Sequence, residues 1–370
     1  MVRRRSGVQV PSWAHSKLSK KMPIGKFLRK IFGYGGDLAI DLGTANTVVW
    51  HSKKGLIINE PSVVAVMELK GGVRKVIAVG NEAKRMLGRT PEDIKAIRPL
   101  RDGVIADFEV AEAMLSYFIR KALEGGSRFF KPRVVIGVPS IITPVEKRAV
   151  IEAAELAGAS EVYLVYEPMA AAIGAGLPIG QPGGNMIVDI GGGTTEVAVI
   201  SMAGIVCSTS LKIAGDEFDE AIVQYLRRKF GILVGERTAE LIKMTIGAAM
   251  EIEPDKEIEL YGRDVSNGIP KKIVISQRDI VEACKDQVSA IVSAVKSTLE
   301  KTPPELSGDI YERGICLTGG GSLLAGLDKL VEKETGIKTF VAKEPLFTVV
   351  KGCAKVLEDI ELLARVNVAQ

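Results

Sequence analysis

One short pattern occurs twice in this chain: an apolar strand ending in Asp, a glycine turn, a Thr and a second strand. The first copy runs from Leu38 to Asp41 through Leu42-Gly43-Thr44-Ala45-Asn46 into a strand from Thr47 to Trp50. The second runs from Met186 to Asp189 through Ile190-Gly191-Gly192-Gly193-Thr194-Thr195 into a strand from Glu196 to Ile200. Glycines in such a turn let backbone N–H groups approach phosphate oxygens, and the Thr hydroxyls add donors. Asp41 and Asp189, each closing its first strand, suit magnesium held through its water shell. Either turn alone reads equally well as a tight hairpin. Two of them facing each other would grip a triphosphate from both sides, which requires a cleft between two related domains.

The rest of the composition permits this and removes several rivals. With 370 residues, 46% hydrophobic and 25% charged, the chain is long enough for two domains with sizeable cores. Its 49 basic and 45 acidic residues leave a net charge of +4, and several of the cations precede residue 31, so no nucleic-acid surface is expected. Cys207, Cys284, Cys316 and Cys353 are far apart, which argues against zinc or a disulfide framework and fits a reducing cytoplasm. His15 and His51 are the only histidines, which disfavours a Ser-His-Asp triad. No apolar run is long enough for a spanning helix. The P-loop pattern G-x-x-x-x-G-K-[ST] and the Rossmann fingerprint are both absent.

Two further stretches carry chemistry. After the apolar strand Ile315 to Leu317, the turn Thr318-Gly319-Gly320-Gly321-Ser322 is expected to open a helix from Leu323 to Leu330. That places N–H donors and a positive dipole end on the nucleoside side of the cleft, or makes only a tight junction. Val162 to Tyr166 reads as a buried strand and Glu167-Pro168 as the start of a small-residue helix. Glu167 there either orients the water that attacks a γ-phosphate or complements the helix dipole, an effect of about 0.3–1 kcal/mol.

The amino-terminal part divides in two. Met1 to Lys21 is basic and aperiodic, either an over-long reading frame before Met22 or a disordered arm. From Met22, residues Ile24, Phe27, Leu28, Ile31 and Phe32 form one helical apolar stripe flanked by Lys26, Arg29 and Lys30. Such a stripe suits an anionic membrane surface, or else packs onto the domain core.

On longer stretches the chain resembles the MreB family, the rod-shape-determining bacterial actin homologues of the actin, Hsp70 and sugar-kinase superfamily. The resemblance covers residues 37 to 365 and includes Ile40 to Thr47, Asn59-Glu60-Pro61-Ser62, Arg98 to Val104, Tyr166 to Ala172, Val188 to Val197, Gly215 to Asp219, Gly235 to Glu240, Glu300 to Leu306 and Leu317 to Ser322. It implies an α/β actin-like fold: two related domains around a nucleotide cleft, each with a smaller inserted subdomain. The expected order is the extension and membrane helix over 1–36, a first domain over 37–178 with its subdomain near 65–109, and a second over 179–348 with its subdomain near 217–281. A C-terminal helix from Val349 to about Leu363, within 349–370, would return to the first domain.

The resemblance also implies site residues. Gly43, Thr44, Ala45 and Asn46 with Gly191, Gly192 and Gly193 would bind phosphates, and Asp41 and Asp189 would stand near the magnesium. Gly215, Asp216, Glu240, Leu241, Ile242, Lys243, Gly319, Gly320, Gly321 and Ser322 would surround the nucleoside. Glu167 and Thr194 would position the attacking water. A second lipid contact is implied at Phe129 and Phe130, an adjacent aromatic pair that alternatively tucks under the strand Arg133 to Val138.

The activity implied is slow ATP hydrolysis coupled to self-assembly into filaments. These would lie in the cytoplasm on the inner face of the plasma membrane and guide cell-wall synthesis with membrane proteins of the elongation machinery. Two relatives with other activities fit worse. An Hsp70-type chaperone needs a following substrate domain, and a small-molecule phosphotransferase needs a positioned Asp base where Pro139 to Val145 stands.

Overall fold

The computed structural model describes residues 36–69, 73–124 and 131–369. Met1 to Lys21, the stripe Ile24, Phe27, Leu28, Ile31 and Phe32, and the pair Phe129 and Phe130 lie outside them.

Two five-stranded sheets carry the fold, and they share one topology. The first runs in the order Glu161–Tyr166, Arg133–Val138, Leu38–Leu42, Asn46–His51, Gly55–Pro61; the second runs Thr339–Val341, Ile315–Thr318, Asn185–Ile190, Thr195–Ser201, Gly204–Leu211. In each, three parallel strands are followed by two antiparallel ones joined through hairpins. The repeat seen in the sequence is thus one hairpin of a repeated sheet.

Period-2 alternation sorts the side chains of each sheet into two faces. Leu38, Ile40 and Leu42 face outward onto helices Phe108–Ala122 and Pro144–Leu156. Met186, Val188 and Ile190 face outward into a second core with helices Gly215–Phe230 and Lys285–Glu300. The opposite faces, with Ala39, Val48, Val135 and Val165 from one sheet and Ile187, Ala198, Ile200 and Cys316 from the other, enclose a common core. That core contains helices Glu167–Ala175 and Thr348–Glu358. Asp41 falls on the face of Ala39, and Asp189 on the face of Ile187, so both carboxyls belong to this middle layer.

The two middle helices pass backbone to backbone. A Cβ on Gly352 would lie 1.8 Å from the Ala170 carbonyl oxygen, and one on Gly174 would lie 1.8 Å from that of Thr348. Gly352→Ala is therefore expected to lower stability by about 2 kcal/mol through overpacking, read as an earlier midpoint in urea unfolding.

Two three-stranded sheets pack against the cores of the large ones. Val64–Glu68 pairs with Arg74–Val79 and Ile94–Ile97, and Glu257–Asp264 pairs with Ile232–Leu233 and Pro270–Ser276.

Two helical expectations need correction. No helix spans Leu323 to Leu330: a 3-10 turn, Gly320–Leu323, is followed by extended Leu324, and Ala325 bridges to Ala248. Gly326, at φ +76°, then turns the chain into helix Leu327–Thr335. The continuous C-terminal helix is likewise two, Thr348–Glu358 and Ile360–Val366, because Asp359 takes an extended conformation and caps the second by accepting from Glu361 N and Leu362 N. Among the described residues, no helix is long and apolar enough to cross a membrane.

Candidate functional site

The two repeated turns meet. A Cβ on Gly192 would lie 2.6 Å from Ala45 Cβ, and one on Gly193 would lie 2.9 Å from Thr44 Oγ1. Only glycine permits so close an approach of one turn to the other. A local bond fixes one turn, Gly191 N donating to Thr194 O at 2.9 Å, and a long-range one the other, Thr44 Oγ1 accepting from Gly103 N at 3.0 Å. Asn46 opens its strand with its side chain exposed, while Thr44 and Thr194 are buried.

Carboxylates gather beneath these turns. Asp41 pairs in register with Gly137, where a Cβ would lie 2.9 Å from Val349 Cγ1 and in ordinary contact, 3.6 Å, with Glu167 Cγ. Glu167 is buried at the first turn of its helix, beside Pro168. Burial pushes the Asp41 pKa up to about 7 and that of Asp189 to about 8, with Asp41 and Glu196 adding like-charge repulsion at Asp189. Glu167 is raised well above the usual range by burial first, then by Asp41, Glu196 and Asp189. These acids therefore sense one another across the two sheets.

Glu196 was not singled out in the sequence, where it sits inside a strand. It is 1% exposed, stands opposite Asp189 in the hairpin register, and accepts from the backbone N–H (3.2 Å) and hydroxyl of Ser140. Alternation was the available signal. In Glu196, Val197, Ala198, Val199 and Ile200, the acid shares the inner face with Ala198 and Ile200, directly across from Asp189.

Around the residues expected to surround the nucleoside, the chain after the second hairpin is bonded back to its turn. Gly215 N donates to Gly191 O at 3.2 Å, and Asp216 N donates to Gly192 O at 2.8 Å. Lys243 Nζ donates to Gly215 O at 2.7 Å and to Asp219 at 2.9 Å. Gly319 needs its φ of +77°, since a Cβ there would lie 2.3 Å from Ile190 O and 2.5 Å from Asp189 Oδ1. Ser322 Oγ donates to Gly319 O at 2.6 Å, closing the third turn, in which Gly320 and Gly321 follow. In helix Glu236–Ile246, Leu241 is exposed and Ile242 is buried in the second core.

Two cations from earlier in the chain reach three acids on this side. Lys84 bonds Glu240 at 2.8 Å, and Arg98 bonds Asp216 at 3.0 Å and also Glu236. Neither cation was identified from sequence, because each partner lies more than a hundred positions away.

Among the described residues, no group of three His, Cys, Asp or Glu side chains is placed to hold a metal ion directly. Asp41, partly buried, and Asp189, buried, lie on one layer and offer oxygens of the kind that face a hydrated dication.

A sequence profile of the MreB/Mbl protein family matches residues 35–365. The cell shape-determining protein MreB of Escherichia coli is 52% identical over 337 residues, 90% of this chain and 97% of its own length. The cell shape-determining protein Mbl of Bacillus cereus is 50% identical over 332 residues, 90% of this chain and 98% of its own. Among solved structures, MreB5 of Spiroplasma citri bound to ADP aligns with a TM-score of 0.82 at 38% identity, covering 88% of this chain and 97% of that one. With its duplicated sheets, facing turns and half-identical relatives along nearly all its described length, this chain has the α/β actin-like fold and belongs to the MreB/Mbl family.

Proposed function

We propose that this chain binds ATP with magnesium between its two sheets, hydrolyses it slowly, and polymerises into membrane-associated filaments that guide cell-wall synthesis and maintain rod shape. The observation that carries the reading is the contact of the two glycine turns, Thr44 and Ala45 against Gly192 and Gly193. The two repeated hairpins thus bring their turns, with the buried hydroxyls of Thr44 and Thr194, to one place.

In this reading residues 37–178 and 179–348 are two domains, with insertions near 65–109 and 217–281, and the C-terminal helices lie against the first. Gly43 to Asn46 and Gly191 to Gly193 present N–H and hydroxyl donors to opposite sides of the phosphate chain. Gly215, Asp216, Glu240, Leu241, Ile242, Lys243 and Gly319 to Ser322 surround the nucleoside. The magnesium ion, held by Asp41 and Asp189 through its waters, would supply neutralisation of phosphate charge. Glu167 and Thr194 orient the attacking water, Glu167 through a carboxyl oxygen that accepts a hydrogen bond, and finally the proton, from it. A carboxyl kept in place by burial at a helix start suits it.

Assembly follows from shape. Nucleotide bridging two domains favours one closed form, and a closed protomer with unlike ends stacks head to tail without ring closure. Filaments of this kind would sit on the inner membrane surface through Ile24, Phe27, Leu28, Ile31 and Phe32 and through Phe129 and Phe130, two weak anchors acting together. The cell shape-determining relatives and the ADP-bound MreB5 support this reading.

The test is co-sedimentation of the chain with anionic liposomes, with and without Mg-ATP, followed by electron microscopy of the pellet. Filaments on lipid only with nucleotide are the expected result. A soluble monomer that hydrolyses ATP under every condition would remove the filament from the reading and leave a phosphotransferase.

A further inference from the structure

The strand Thr195–Ser201 belongs to the second sheet, whereas Ser140 follows the first-sheet strand Arg133–Val138 by two residues. Between them runs a buried link: one Glu196 carboxylate oxygen accepts both the backbone N–H of Ser140, at 3.2 Å, and its hydroxyl. The link lies at the floor of the cleft. On one side, the Arg133–Val138 strand pairs with the strand of Asp41; on the other, Glu196 stands opposite Asp189. The second Glu196 oxygen is buried toward Ser210, its neighbour on the adjoining strand. That oxygen and the Ser210 hydroxyl make no hydrogen bond among the described residues, so Ser140 is the partner that holds the carboxylate. Pro139, just before Ser140, also closes on Gly103, where a Cβ would lie 2.5 Å from Pro139 Cγ and 3.4 Å from the Thr194 methyl. Gly103 in turn donates to Thr44. One short loop thus touches elements that reach both phosphate turns.

We propose that Glu196 is a positioning residue that, by clasping Ser140, sets the separation of the two turns and so the alignment of Glu167 and Thr194 with the phosphate chain. The proposal rests on the ATP-hydrolysis reading above. Two hydrogen bonds to one buried oxygen fix the loop against the strand, and small misplacements of reacting groups cost large factors in rate. The clasp needs an acceptor at residue 196 and a hydroxyl at residue 140. It does not need the negative charge, because a Gln carbonyl oxygen accepts the same two hydrogens.

Three full-length variants test this: Ser140→Ala, Glu196→Gln and Glu196→Ala. Single-turnover hydrolysis at saturating Mg-ATP and ATP affinity are measured together, with hydrogen exchange of the ligand-free chains as an independent readout. Ser140→Ala and Glu196→Ala are expected to slow hydrolysis about tenfold with ATP affinity within about threefold of the parent. Both should also speed exchange over residues 191–196. Glu196→Gln should restore hydrolysis and protection to within about threefold. If Glu196→Ala does not fold, Ser140→Ala and Glu196→Gln still decide the matter. Unchanged hydrolysis and exchange in Ser140→Ala would overturn the clasp, as would a Glu196→Gln chain slower than Ser140→Ala, since charge would then be the requirement. Equal loss of affinity and rate would overturn it in favour of a merely structural role. A parent chain that hydrolyses no ATP would sink the underlying reading instead, while the exchange difference would still report the clasp.

Discussion

Replacing Glu167 with Gln is expected to slow ATP hydrolysis about 100-fold while leaving ATP affinity within a few-fold. The substitution keeps shape and burial at the start of helix Glu167–Ala175 and removes only the ionisable oxygen. Stability supplies the second half of the prediction. Glu167 is held well above the usual carboxyl range by burial and by Asp41, Glu196 and Asp189, so its charged form is costly in the ligand-free chain. Gln should therefore match the parent in stability near pH 4 and exceed it from pH 6 upward in the ligand-free protein. The competing role, complementing the helix dipole, gives the opposite pair of results: unchanged hydrolysis and a loss of up to about 1 kcal/mol. Single-turnover hydrolysis and urea unfolding on the same two proteins separate them. A parent-like rate would remove Glu167 from the chemistry.

The repeated hairpins were legible because everything that makes them is local. An apolar strand, a terminal Asp and a glycine turn lie within ten residues, and the strand period alone assigns Asp41 and Asp189 to one face. The link from Ser140 to Glu196 spans 56 positions, and those from Arg98 to Asp216 and from Lys84 to Glu240 span 118 and 156. No periodicity connects such pairs; they arise only when the two sheets are stacked. The helix expected after Gly321 failed for a related reason. Leu323 to Leu330 has acceptable helix formers, but the Ala325 bridge to Ala248 and the left-handed Gly326 override propensity. The crossing of the middle helices was hidden as well. Gly174 and Gly352 look like weak points of two helices until each is seen against the other's backbone.

The ligand-free chain is expected to lose about 3 kcal/mol of stability between pH 5 and pH 8. Asp41 and Asp189 ionise near 3.8 when solvated, but in the folded chain burial moves them to about 7 and about 8. Across that window the folded state keeps protons that the unfolded state has released, so stability falls as pH rises. The loss is absent below about pH 4, accumulates up to about pH 8 and is flat above it, the reverse of a salt-bridged carboxylate. Two independent groups shifted this far would give more than twice the expected figure at about 1.4 kcal/mol per unit; relaxation of the cleft and the mutual repulsion of the pair reduce it. Asp219, raised to about 6 by burial against the opposing pull of Lys243, adds in the same direction. His51, lowered by burial and by Lys54 and Lys53, works against it at the acid end of the window. Urea unfolding at pH 5, 6.5 and 8 measures the slope, and Asp189→Asn should remove about half of it. Saturating Mg-nucleotide, which binds the native state alone, should raise stability most at pH 8, where both carboxyls are free to face a cation. Stability that is level or rising from pH 5 to pH 8 would mean that the two acids are already ionised in the empty cleft. Magnesium would then meet a solvated pair rather than a buried one.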